Sequence, residues 1–253
     1  MTRIWVIAQG AFREAVRSRI FVNLLVLVAL MVLGGVAVEA GSIGDTGRLF
    51  HDIAHAAISI SGSMIALFVG IQLVATDIER KTLHVFLARP VTRFELVIGK
   101  FLGLAGVLAV NTLLAAAVYC VVALGGKSTV LTAAGLVSIL FLYLQFLVVG
   151  AIAMMFSTLS GTTTAAVYSI ALFVVGRLGN ELARLAEQSS RDMFQRVAAI
   201  ARTVIPDLTR FDVSPHVPLP SAGTMALAVL YAVLWSLALL LIGTFAFGYR
   251  DLK

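Results

Sequence analysis

Long apolar runs alternate with short charged clusters along this chain. The runs cover residues 20–38, 57–76, 101–124, 130–156, 162–178 and 223–248. A helix that crosses the hydrocarbon layer of a bilayer needs about 20 predominantly apolar residues. All the runs but the fifth reach or approach that length. The fifth is carried to its end by Arg177, whose long side chain can snorkel to the interface. The pattern predicts an all-α, polytopic integral membrane protein with six transmembrane helices.

Three further segments stand out against the runs. Over residues 1–19, "RIWVIAQGAFREAVRSR" sets Ile4, Ala8, Ala11, Phe12 and Ala15 at helical spacing, with Arg13 and Arg17 on another face. That spacing predicts a basic amphipathic helix lying in the membrane interface. Residues 179–221 form the longest polar stretch. Its first half is helix-prone, with Leu182, Leu185, Phe194, Val197 and Ile200 as apolar positions, and its second half carries four of the five prolines. Such a loop reads equally as a solvated helical pair or as a gate or docking surface for an extracytoplasmic partner.

The third segment, residues 77–100, is the densest in charge. It holds Asp77, Glu79, Arg80, Lys81, Arg89, Arg93, Glu95 and Lys100. "IERKTLHVFLA" suits a short helix with Leu83, Phe86 and Leu87 on one side and Arg80 with His84 on another. Pro90 disfavours helix at Arg89. Thr92 and Glu95 then stand at capping-box spacing, so a new helix starts at Arg93 and runs into the third span. Gly99 and Gly103, four residues apart, allow a neighbouring helix to come close at its base. The segment therefore predicts a bent helix–turn–helix joining two spans.

Composition supports the membrane class. Of 253 residues, 60% are hydrophobic and 13% charged, against about 25% charged in a soluble domain. With residues 77–100 and both termini on the cytoplasmic side, eleven basic residues lie inside and eight outside. The four arginines before the first span, against one in the loop after it, set the orientation. The net charge of +6 falls on the inner side. It points to anionic lipid, not to nucleic acid. The single Cys120 makes neither an intrachain disulfide nor a metal framework. "VEA" at 38–40 could pass as a cleavage site, but the run before it is long for a signal peptide and suits a span.

Two motifs are decoys. His51 and His55 share a helical face in "HDIAH", which lacks the Glu of a zinc-protease helix; two interfacial histidines are the simpler reading. "VVALGGKST" ends like a phosphate loop, but Val121 stands where the first glycine belongs and no strand precedes it. It reads as a tight turn, with Ser128 or Thr129 capping the fourth span.

Apart from Arg177 at the end of the fifth, the apolar runs contain no Asp, Glu, Lys, Arg or His. Ion-coupled transporters and intramembrane hydrolases usually place an ionisable group there, so both classes lose ground. The polar residues that remain are Asn23, Gln72, Asn111, Gln145 and the Thr162–Thr164 run, with Thr163 at its centre. They are candidates for a substrate path or for hydrogen bonds between helices.

"ERKTLHVFLARPVTRFELVIGKFLG" resembles the segment after the second span of ABC type-2 permeases, in Glu79, Arg80, Thr82, Leu83, Pro90, Val91, Thr92, Arg93, Gly99, Lys100, Phe101, Leu102 and Gly103. Lys81 stands where many relatives have Gly. "FREAVRSRIF" and the terminal "YRDL" are similar to the family's amphipathic N-terminal helix and basic C-terminal end. Within the family the chain looks most similar to the branch of the nitrous-oxide reductase maturation permease. The resemblance implies the membrane subunit of an exporter in a bacterial cytoplasmic membrane, with both termini cytoplasmic. It implies pairing with a second permease subunit, alike or homologous. It implies a separate cytoplasmic ATPase that binds the ATP and Mg, leaving this chain without catalytic residues or cofactors. Glu79–Ala88 would be the coupling helix, with Glu79, Arg80, Leu83, His84, Phe86, Leu87, Arg89 and Pro90 meeting the ATPase. A loop before the sixth span would enter the outer leaflet. Two other readings stay open: a non-transporting scaffold that binds a partner through residues 179–221, and an ion-driven secondary transporter.

Overall fold

The computed structural model describes residues 2–18, 46–79, 92–125, 133–179, 205–213 and 219–249, with isolated positions at 34, 181 and 184. Every regular element among them is helical. In chain order they are α1 (Thr2–Val16), α2 (Thr46–Glu79), α3 (Arg93–Gly125), α4 (Ala133–Leu159), α5 (Thr162–Arg177), a short 3-10 helix (Leu208–Phe211) and α6 (Ala222–Tyr249). Four stretches are long and apolar enough to cross a membrane: Asp52–Thr76, Arg93–Val121, Ala133–Leu159 and Ala222–Ala246. Apart from position 34, the run at 20–38 lies outside the described residues.

α4 is the centre of the bundle and packs against α2, α3, α5 and α6. It is apolar around its whole circumference, as a helix enclosed on all sides must be. Val148, Val149, Ala151, Ile152, Ala153 and Met154 are fully buried. α6 is just as apolar, but Leu227, Leu234, Leu241, Ile242 and Phe245 are exposed. In a bilayer those side chains face lipid at no cost.

Lipid tails are as apolar as leucine, so these helices gain little from hiding apolar surface from one another. Close backbone approach takes the place of the hydrophobic effect, and small residues mark the contacts. A Cβ on Gly70 would stand 3.0 Å from the Ala153 Cβ, and one on Gly150 would stand 2.8 Å from Leu104 Cδ2. Several hydroxyls inside the helices are satisfied locally. Ser61 donates to the Ala57 carbonyl, Thr112 to Leu108 and Thr244 to Leu240. These bonds remove a polar cost without tying one helix to another.

α1 differs from the expectation in one respect. The face that carries Ala8, Ala11 and Ala15 does not turn to lipid; it is buried against α3. The reason lies in α3, whose Gly99, Gly103 and Gly106 form a groove along one side. A Cβ on Gly103 would lie 2.6 Å from the Ala11 Cβ and 2.7 Å from the Ala8 carbonyl oxygen. The large exposed side chains of α1 are Trp5 and Val6, off the alanine stripe, while Arg13 and Arg17 are exposed as their spacing predicts.

Candidate functional site

The first region of interest is the end of the bundle where α2 stops and α3 starts. α2 ends at Glu79, and the chain re-enters the described residues at Thr92. Arg80, Leu83, His84, Phe86, Leu87, Arg89 and Pro90 lie outside the described residues, as does Asn23. The two legs on which that segment stands are fixed firmly. The Thr92 backbone N–H donates to Glu95 Oε2 at 2.9 Å, and the Glu95 N–H donates to Thr92 Oγ1 at 3.2 Å. This is a closed capping box, which satisfies two of the amides that a helix start leaves without partners.

Two turns into α3, Lys100 crosses to the other leg. Its ammonium donates to the Leu73 carbonyl of α2, although only 7% of the residue is exposed. A charge buried at this depth needs backbone or charged partners, and α2 supplies one. Ser157 of α4 donates to the neighbouring Ile71 carbonyl at 3.0 Å. α1 then braces α3 from outside through the glycine groove. A Cβ on Gly99 would fall 2.7 Å from Ile7 Cγ2. The result is one cross-linked base of four helices at this end of the bundle.

The second region is at the opposite end. α5 has 16 residues, which gives it a length of about 24 Å, short of the roughly 30 Å hydrocarbon layer. Its last carbonyls would face lipid without help. Residues 205–213 pack against this end of α5. Leu208 and Phe211 are fully buried, and a Cβ on Gly176 would stand 2.9 Å from the Pro206 carbonyl oxygen. The Asp207 N–H donates to Tyr231 Oη at 2.8 Å. Tyr231 lies nine residues into α6, so the segment packs beside the first turns of that helix.

Arg177 departs from the expectation that it snorkels. Its guanidinium turns into the bundle. Nη1 donates to Gln145 Oε1 at 3.1 Å, and Nη2 pairs with Asp212 Oδ2 at 3.2 Å. Gln145 is fully buried midway along α4, and its Nε2 donates to Ser63 Oγ of α2 at 3.2 Å. The second oxygen of Asp212 meets His55 Nε2, also at 3.2 Å. The His55 hydrogen bond first, and the Arg177 charge after it, outweigh partial burial and hold the Asp212 carboxyl below the usual carboxylate range. Asp212 was not singled out by the sequence, because a carboxylate in a proline-rich loop carries no periodicity.

The remaining intramembrane polar residues differ. Asn111 is 1% exposed and neither amide atom has a hydrogen-bond partner among the described residues. Gln72 is half-buried, and its backbone carbonyl accepts from Thr76 Oγ1 at 2.7 Å. Thr163 is exposed at the start of α5. His55 is engaged by Asp212, and no group of three His, Cys, Asp or Glu side chains among the described residues could hold a metal ion.

A family model described as ABC-2 family transporter protein matches residues 5–252. The comparison with curated proteins returns no match. With nearly its whole length matched, the chain belongs to the ABC-2 family of transporters and is a multi-pass membrane permease component.

Proposed function

We propose that this ABC-2 permease subunit couples ATP hydrolysis on a separate cytoplasmic ATPase to export, through residues 79–90. The observation that supports the reading most is the cross-linked base. The Lys100 bond to Leu73 ties α3 to α2, and the Thr92–Glu95 capping box fixes the start of α3. A push on a loop with loose feet would be lost in the loop. A push on this one moves two long helices. The ATPase binds ATP and Mg, and this chain supplies Glu79, Arg80, Leu83, His84, Phe86, Leu87, Arg89 and Pro90 as the contact.

The rest of the assembly follows from this reading. The N- and C-termini face the cytoplasm of a bacterial inner membrane, the run at 20–38 is the first of six spans, and residues 179–221 lie outside. A second permease subunit, the same or homologous, completes the membrane part. The branch of the nitrous-oxide reductase maturation permease is the part of the family we read as nearest. Predominantly apolar spans suit a lipid, a hydrophobic peptide or a complex that transmits force.

Purification in mild detergent from the native membrane tests this. We expect an ATPase of separate sequence to co-purify and to be lost with Phe86→Asp, because a carboxylate on the docking face would be desolvated without a partner. Leu83→Asp should act alike, with insertion intact. Normal transport by both variants would overturn the assignment of the coupling segment. Transport that persists without ATP but needs a proton gradient would favour the ion-driven reading.

A further inference from the structure

The polar contacts at the far end close on themselves. Starting on α2, Ser63 accepts from Gln145 of α4, Gln145 accepts from Arg177 of α5, and Arg177 pairs with Asp212 of the 205–213 segment. Asp212 then returns to α2 through His55. The circuit therefore begins and ends on one helix. That same helix carries the Leu73 carbonyl that Lys100 grips, 18 residues or about 27 Å from His55 along the axis.

We infer that Arg177 is a positioning residue that latches residues 205–213 over the outer end of the bundle, and that displacement of α2 releases it. The inference deepens the exporter reading and rests on it for the sense of "outer". Arg177 suits the task because its fork donates in two directions at once, to the buried Gln145 and to the carboxylate of Asp212. The side chains grade from buried to wet. Gln145 is fully buried, the Arg177 side chain is 29% exposed and that of Asp212 is 44% exposed. Breaking the ion pair in a dry bundle would strand two charges, which is prohibitive. With water admitted it becomes cheap, so the latch opens only as the outer end opens. α2 touches the circuit at both Ser63 and His55. A shift of α2 against α4 and α5 cannot keep both contacts.

The test uses the full complex in a Cys120→Ser background with Val213→Cys as reporter. Val213 is half-buried within the latched segment. Its labelling by a membrane-impermeant maleimide is followed in intact and in permeabilised cells. We expect slow labelling in the parent and labelling faster by about tenfold in Asp212→Asn, which keeps the volume and removes the charge. Arg177→Gln should behave alike. The swap Arg177→Asp with Asp212→Arg should restore slow labelling, a rescue that loss of packing could not give. Equal rates in the parent and Asp212→Asn, or a swap no slower than the single variants, would overturn the latch. A non-hydrolysable ATP analogue should speed labelling of the parent and leave Asp212→Asn unchanged. A parent insensitive to nucleotide while Phe86→Asp still loses the ATPase would remove α2 from the inference and spare the exporter reading. Labelling confined to permeabilised cells would overturn the orientation and leave the comparison of rates intact.

Discussion

The seam between α1 and α3 and the circuit around Arg177 both hold helices together in an environment where apolar surface has nothing to flee. They do so by opposite means. The seam is made of Ala8 and Ala11 laid on Gly103, with Ile7 over Gly99 and Phe12 over Gly106, so that backbone lies close to backbone. The circuit is made of an arginine, a glutamine, a serine, a histidine and an aspartate, each bonded at about 3.1–3.2 Å. Dispersion contacts in the seam are many, weak and short-ranged, so the seam is either docked or lost. Hydrogen bonds in the circuit are few and can exchange partners, including water, one at a time. The first kind of joint suits a part that must not yield. The second suits a part that opens and closes. The molecule places the rigid joint beside the segment proposed to receive the push and the exchangeable joint at the other end.

The comparison breaks most sharply at Gly103. Gly103→Leu would drive a side chain into the Ala8 carbonyl and the Ala11 methyl. We expect α1 to leave α3 at a cost of about 3 kcal/mol, read as earlier unfolding in mixed detergent. Gln145→Leu tests the other joint. It leaves Ser63 Oγ and one arm of Arg177 without their partner, and bonds of this kind inside membranes are worth about 1 kcal/mol each. The same unfolding assay should show a loss of about 1–2 kcal/mol, with α1 still docked.

The pH dependence follows from Asp212, whose folded carboxyl is held below its ordinary range. Its stabilising contribution is present in full above about pH 4, the unperturbed value, and is lost as pH falls through the depressed folded value. The difference in melting temperature between the parent and Asp212→Asn should therefore persist at neutral pH and close in strong acid. A difference that grew on acidification would contradict the pairing. The smallest effect sharpens the contrast from the seam's side. A Cβ on Gly10 meets nothing within 4 Å. Gly10→Ala should be tolerated and should stabilise α1 by up to about 1 kcal/mol through helix propensity alone. If it destabilised α1 as Gly103→Leu does, close packing would not be what distinguishes the two positions.

Several parts of this arrangement were legible in the residues. The apolar runs of 20 or more residues marked spans because bilayer thickness fixes helix length. Thr92 and Glu95 announced a capping box, since that bond pair needs only local spacing, and both bonds are formed. Gly99 and Gly103 announced a close helix contact for the same local reason. The identity of the neighbour was not legible. α1 lies some ninety residues away in sequence, and its alanine stripe fits lipid as readily as glycine. The direction of Arg177 was not legible for a related cause. At the end of a short apolar run an arginine usually reaches for the interface. Its turn inward depends on Gln145, 32 positions earlier, and on Asp212, 35 positions later.

Periodicity, composition and spacing by themselves determined what is local: a helical, membrane-spanning chain, the charged segment between two spans, and the cap that restarts the helix after it. Each depends on a few consecutive residues and on the thickness and dryness of the solvent they meet. Only the tertiary structure decided which helix fills the glycine groove and where the charge of Arg177 goes. It also decided that α2 joins both ends of the bundle. Those outcomes depend on pairs of residues far apart in the chain, and in lipid many such pairings are nearly equal in energy until close packing and mutual hydrogen bonding select one.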